Sequence, residues 1–228
     1  ETFRNLDLYQ ARFMFEGEDV KLLQAKGISA FFLPVAFDHE RYFPVEFSEK
    51  PIDIIFAGGL YDNRLVLLEK LIRDFSALRI EIYDRYVGWV PSSRHWKYYL
   101  KNYRRYFKNR QIATEDLNKL YSRSKIALNV HHNQTRFGCN PRFFEILGSN
   151  TFQLVDANTF IQNNFAEEVK TFQDYHDLKK KIDTYLKRPH LRAKIASKGY
   201  QKVISQHTFC HRIKAMLKIM DEKDKKNA

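Results

Sequence analysis

The residues best placed to do chemistry lie between 136 and 156, in the stretch RFGCNPRFFEILGSNTFQLVD. Gly138 opens backbone conformations closed to other residues, and Pro141 suits the first turn of a helix, where its missing N–H would have been unpaired anyway. A loop therefore runs into a helix whose first amides lack partners. Such an end draws anions, because unpaired N–H groups and the helix dipole favour negative charge, and Arg142 adds a full positive charge in the first turn. Glu145 follows Arg142 at the i, i+3 spacing that puts both on one helix face. One face then offers a cation to phosphate and a carboxylate to hydroxyls, which suits a sugar nucleotide with its diphosphate beside a ribose. The competing reading is a solvated ion pair, the ordinary meaning of Arg and Glu three apart on a helix.

Strands must carry this loop. TFQLVD, residues 151–156, reads as the strand that follows the helix and ends in Asp156, and KIALNV, residues 125–130, as the strand before it. His131, His132 and Asn133 then leave the carboxyl end of that strand, where open parallel sheets bind ligands, so they are candidate cleft-lining residues. As adjacent residues on an extended segment the two histidines point to opposite sides, a poor chelate, and no metal is expected. A similar unit lies earlier. IDIIFA, residues 52–57, is the continuous apolar run of a strand covered on both faces; Gly58 and Gly59 follow, then a helix with Leu65, Leu68, Leu71 and Ile72 near its period. Such a strand–glycine–helix unit binds phosphates in α/β folds, although a tight turn for packing explains two glycines equally well. Arg64 in the first turn opposes the helix dipole, so it is either solvated or balanced by a bound anion.

Elsewhere, residues 6–15 read as a strand, 18–26 as a helix stopped by Gly27, SAFFLPVAFD as a strand ending at Pro34, and the proline-containing run up to Pro51 as a connector. RIEIY, 79–83, alternates as a strand. Residues 90–110 mix Lys and Arg with Trp96, Tyr98, Tyr99, Tyr103, Tyr106 and Phe107, which fits either single-stranded nucleic acid or a membrane interface, or an amphipathic surface helix. Thr114 reads as a helix cap, VKTF as a short strand, and Asp174 as the start of a helix that Pro189 separates from two more, ending in a frayed charged tail. Strands alternating with helices and closing in a helical run predict an α/β fold, a Rossmann-like doubly wound parallel sheet.

With 228 residues, 44% apolar, the chain can bury a full core. No apolar run approaches the roughly 20 residues that span a bilayer, and the first ten residues lack the regions of a signal peptide. Cys139 and Cys210 are too few for a disulfide scaffold, so a reducing cytoplasm is the expected setting. The net charge of +12 implies an anionic partner or an acidic domain beyond this chain, and the start at Glu1 reads as that of a fragment.

Four segments in order, FAGGLYDNR, TEDLNKLYSRSKIALNVHHN, RFGCNPRFFEILGSNTFQLVD and GYQKVISQHTFCHRI, resemble the C-terminal half of a GT-B glycosyltransferase of the group 1 type, with the nearest likeness to the spore-maturation CgeB-like group. The resemblance covers roughly residues 30–217 and implies that residues 1–35 are the tail of an N-terminal acceptor domain, 36–50 a connector, 51–217 the nucleotide-sugar domain and 218–228 a charged tail. It implies donor binding by Gly58, Gly59, Arg64, Gly138, Cys139, Asn140, Arg142 and Glu145, with a UDP- or GDP-linked sugar as substrate and no cofactor or metal. Glu145 matches the ribose-binding second member of the family's pair of glutamates, whereas the first is replaced by Phe137. Arg64 falls where relatives carry a diphosphate-binding lysine, a neighbouring family arginine is Gly59, and Asp84 stands where a glycine often follows the second strand. The implied acceptor is a glycan, lipid or protein; the expected setting is the cytoplasm, with peripheral attachment to the anionic inner face of the membrane as an option, and nucleic acid is not an expected partner. The alternatives are a sugar-nucleotide module without turnover, and a nucleic-acid or membrane-surface module using residues 94–110.

Overall fold

The computed structural model describes residues 9–60, 62–83, 103–108, 112–132 and 135–227. Strand β1 (Arg12–Met14), helix α1 (Gly17–Ala25) and strand β2 (Ala30–Phe32) form a small parallel unit at the start. The main sheet follows: β3 (Ile52–Ala57), α2 (Asp62–Asp74), β4 (Ile80–Tyr83), β5 (Phe107–Lys108), α3 (Thr114–Ser122), β6 (Ser124–Asn129), α4 (Pro141–Gly148), β7 (Gln153–Asp156), α5 (Thr159–Asn164) and β8 (Lys170–Phe172). Helices α6 (Tyr175–Leu186), α7 (Pro189–Gln206) and α8 (Phe209–Asn227) complete the chain.

The six strands lie in the order β5-β4-β3-β6-β7-β8, every neighbouring pair parallel. Winding runs outward from β3 to one edge, returns to β6 on its other side and runs outward again. The carboxyl ends of β3 and β6 therefore diverge into opposite layers, which opens a crevice at the switch point. Successive residues of the central strands serve opposite layers. Ile54, Phe56, Ile126 and Leu128 pack with Leu68 and Leu71 of α2 and Leu178 and Ile182 of α6. Ile55, Ala127 and Val155 pack with Tyr121 of α3 and Phe143, Phe144 and Leu147 of α4. Burial on both faces is why these strands read as continuous apolar runs rather than alternating ones.

Local chemistry sets the helix ends. Gly27 has φ +73°, the left-handed turn that stops α1. The Asp174 carboxylate accepts from the Asp177 amide at 2.8 Å and caps α6. Several expectations need correction. Thr114 is the first residue of α3, preceded by Ala113, which supplies no side-chain cap. Helix α5 lies where no element is expected, strand β5 lies within the segment for which a surface helix is one reading, and α8 continues through the charged tail to Asn227. Pro189 opens α7 rather than standing between helices, consistent with the missing N–H. Most of the basic aromatic segment lies outside the described residues. Within the part described, Tyr106 and Phe107 are buried in the core at β5, not on a surface helix.

Candidate functional site

Helix α4 begins at the carboxyl side of the sheet because Asn140 holds it there. The Asn140 side-chain oxygen accepts from the Phe143 amide at 3.0 Å, and its amide exchanges two hydrogen bonds with Asn129 at the tip of β6, at 2.9 and 3.1 Å. Cap and strand end are thus one unit. On the first turn, Arg142 Nη1 donates to Glu145 Oε2 at 2.5 Å and, over a longer 3.4 Å, to the hydroxyl of Tyr42. The predicted pair is therefore formed, but it is no solvated ornament: the Glu145 side chain is only 15% exposed and that of Arg142 38%. Burial disfavours the Arg142 cation, yet Tyr121, Glu145 and Tyr42 outweigh it and push its pKa up. Burial, with Glu145 adding to it, raises the Tyr42 hydroxyl.

The loop before α4 is packed rather than open. Gly138 keeps an ordinary φ; its requirement is space, because a Cβ there would stand 2.2 Å from the Phe15 carbonyl oxygen. The Glu16 carboxylate accepts from the amides of Arg136 and Phe137 at 2.9 and 2.7 Å, and the Gly17 amide returns a bond to the Phe137 carbonyl at 2.8 Å. The loop is thereby stapled to the entrance of α1. Cys139 is 1% exposed, and burial raises its thiol pKa well above the ordinary value. The Gly138 carbonyl accepts from Asn158 at 2.9 Å.

His131 lies beyond the end of β6, on the side of Asn129 by strand periodicity. Its amide and its Nδ1 both lie 2.8 Å from Asp156 Oδ1, at the end of β7. A carboxylate only accepts, so Nδ1 carries the proton. His132 borders a neighbouring cavity, whereas Asn133 lies outside the described residues, as does Asp84.

At the other strand end, the Gly58 amide extends the β3–β4 ladder by donating to the Tyr83 carbonyl at 3.0 Å. Arg64, 8% exposed, reaches back from α2 and donates to the Gly59 carbonyl at 2.8 Å and the Val130 carbonyl at 2.5 Å. It ties the two loops of the crevice together. Its charge sits at the switch point, but these donors face backbone. Of the predicted donor-binding residues, Gly138, Cys139, Asn140, Arg142 and Glu145 converge on α4, while Gly58, Gly59 and Arg64 meet across the crevice.

Two cavities flank the head of α4, both touching Phe15 and Pro141. One, of about 570 Å³, is largely apolar and borders Tyr42, Thr114 and Glu145. The other, of about 720 Å³, borders Glu16, Glu18, Asp19, His132 and Asn140. Sequence reasoning missed Glu16, Tyr42 and Tyr121. An acid directly before the α1 helix is a legible cap signal for Glu16, but no local pattern marks the two tyrosines.

A profile of the family described as glycosyl transferase-like matches residues 64–218, a span holding most of α2 together with β6 and α4. The chain belongs to this family. Sucrose-phosphate synthase from Thermosynechococcus elongatus superposes on the transferase-like chain with a TM-score of 0.70 at 15% identity, over 93% of this chain and 58% of that one. A glycosyltransferase from Rickettsia africae gives 0.69 at 13%, over 92% and 62%. A point mutant of S. aureus TarM, solved in complex with Fondaparinux, alpha-GlcNAc-glycerol and UDP, gives 0.68 at 12%, over 94% and 44%. At these identities the likeness is one of fold, that of GT-B glycosyltransferases. The chain spans about half the length of the structures it matches. No curated protein matches it by sequence.

Proposed function

We propose that this chain is the donor-binding half of a GT-B glycosyltransferase, nearest in kind to the CgeB-like group, which takes a UDP- or GDP-linked sugar at the head of α4 and passes the sugar to a hydroxylated acceptor. The observation that carries this reading is the Arg142–Glu145 pair, partly buried on the first turn of α4, whose carboxylate partner Glu145 borders a cavity of about 570 Å³. In the free chain the two groups satisfy each other. A bound donor separates their tasks: the ribose diol donates to Glu145, and the diphosphate takes Arg142 and the positive end of α4.

Breaking the bond between sugar and diphosphate leaves negative charge on the departing phosphate. Arg142 and the helix terminus stabilise that charge as it develops, the task a metal performs in other phosphate sites, so the reaction runs without one. Arg64 adds a positive field while holding the crevice shut behind the ligand. The acidic second cavity, on the α1 side, suits a neutral polyhydroxylated acceptor, completed by chain of the N-terminal half. Among the described residues no helix is long and apolar enough to cross a membrane.

Calorimetric titration with UDP, GDP and their sugar conjugates tests the reading. Saturable binding that drops in both Glu145→Ala and Arg142→Ala is expected. Binding that survives both changes, or no binding to any of these ligands, would overturn it.

A further inference from the structure

We infer that Tyr42 is a positioning residue for Glu145, setting its carboxylate to receive a ribose diol and so deciding the preference for ribonucleotides over deoxy analogues. This rests on the assignment of Glu145 to the ribose and adds the group that makes the assignment selective. Tyr42 belongs to the connector, 100 residues from the arginine it touches, and is 5% exposed. Its hydroxyl lies 3.4 Å from Arg142 Nη1 and against the Glu145 carboxylate, at the border of the same cavity. A carboxylate has about four lone-pair positions, and a guanidinium fork fits two of them in parallel. Here the pair is joined through a single bond, from Nη1 to Oε2. The Tyr42 hydroxyl, beside both groups, competes for Nη1 and keeps the pair one-pronged, so that Glu145, at the border of the cavity, retains lone pairs for a ligand. Without that hydroxyl, Glu145 turns to Arg142 with both oxygens and the diol loses its acceptor.

Tyr121 provides the internal contrast. It approaches the same pair from α3, is 1% exposed, and its hydroxyl has no hydrogen-bond partner among the described residues. Two phenols thus face one ion pair, and only one of them bonds to it.

The test is the ratio of dissociation constants for UDP and 2′,3′-dideoxy-UDP, and likewise for GDP and its dideoxy form, measured by calorimetry on the wild type, Tyr42→Phe, Tyr121→Phe, Glu145→Ala and the double variant Tyr42→Phe/Glu145→Ala. The wild type is expected to prefer the ribonucleotide by about tenfold or more, the scale of two hydrogen bonds to a charged group. Tyr42→Phe is expected to bring the ratio below about threefold while keeping its melting temperature, Tyr121→Phe to leave it within about twofold, and the double variant to match Glu145→Ala, because the two residues act through one contact. A full ratio in Tyr42→Phe would overturn the role of Tyr42 and leave the ribose reading standing. A wild type that binds both forms equally, or neither, would remove the ribose reading and this inference with it.

Discussion

The carboxyl ends of β3 and β6 are neighbours in the sheet, each is followed by a helix on the opposite layer, and each of those helices carries an arginine in its first turn, yet the two arginines do different things. Arg64 is buried and directs donors to the carbonyls of Gly59 and Val130. Arg142 is partly open to solvent and shares its charge with a carboxylate on its own helix. Backbone carbonyls cannot leave, whereas a side-chain carboxylate can exchange one partner for another. The same residue type is therefore held by fixed backbone at one strand end and by an exchangeable side-chain partner at the other, the one the proposed function gives to the ligand.

The sharpest way to break this contrast is to remove each arginine. Arg64→Ala leaves two inward carbonyls without donors and is expected to destabilise the fold by about 3 kcal/mol, lowering Tm by roughly 6–12 °C, with calorimetry as the check. Arg142→Ala is expected to cost clearly less stability than Arg64→Ala, since the freed Glu145 carboxylate retains access to water, while weakening nucleotide binding. Equal losses of stability in both would dissolve the distinction.

Gly138→Ala attacks the loop from its covered side. Its Cβ would meet the Phe15 carbonyl oxygen at 2.2 Å, so the segment ahead of α1 must move. About 2 kcal/mol is the expected loss in urea unfolding, on the scale of overpacking a tight contact. Glu145→Ala comes next and is read in affinity rather than stability. Loss of hydrogen bonds to a charged group predicts a nucleotide dissociation constant raised roughly 10- to 100-fold.

Acid provides a further comparison at the corner between α7 and α8, where the His207 ring packs on Phe144 of α4. Burial, and after it the charge of Arg212, lowers the His207 pKa to about 3, from an ordinary 6.5. The unfolded chain therefore binds this proton first as pH falls. The stability at stake is full above about pH 6.5 and is lost progressively toward about pH 3, by up to about 1.4 kcal/mol per unit. Unfolding free energy is expected to fall by about 2 kcal/mol between about pH 7 and pH 5, and by much less in His207→Gln. The smallest effect is chemical: Cys210 is exposed and Cys139 is buried under the loop, so a maleimide should label Cys210 alone until denaturant is added.

The sequence is most legible where a physical rule acts locally. IDIIFA and KIALNV read as buried strands because both faces are covered, and Pro141 marks the start of α4 because proline loses nothing there. Strand β5 escapes notice because two residues, Phe107 and Lys108, carry no period. Glu145 and Arg142 are legible as a pair but not as a partly buried one, since Tyr42 and Tyr121, which enclose them, come from distant segments. Gly138 is needed for a reason other than the one its sequence suggests: the cause is the approach of Phe15 rather than an unusual φ.

Amide hydrogen exchange with and without UDP or GDP tests most directly which strand end receives the ligand. Slowed exchange concentrated in residues 138–146, with little change at Gly58–Arg64, is the expected result. Protection confined to residues 58–64, with none at α4, would reverse the roles assigned to the two arginines.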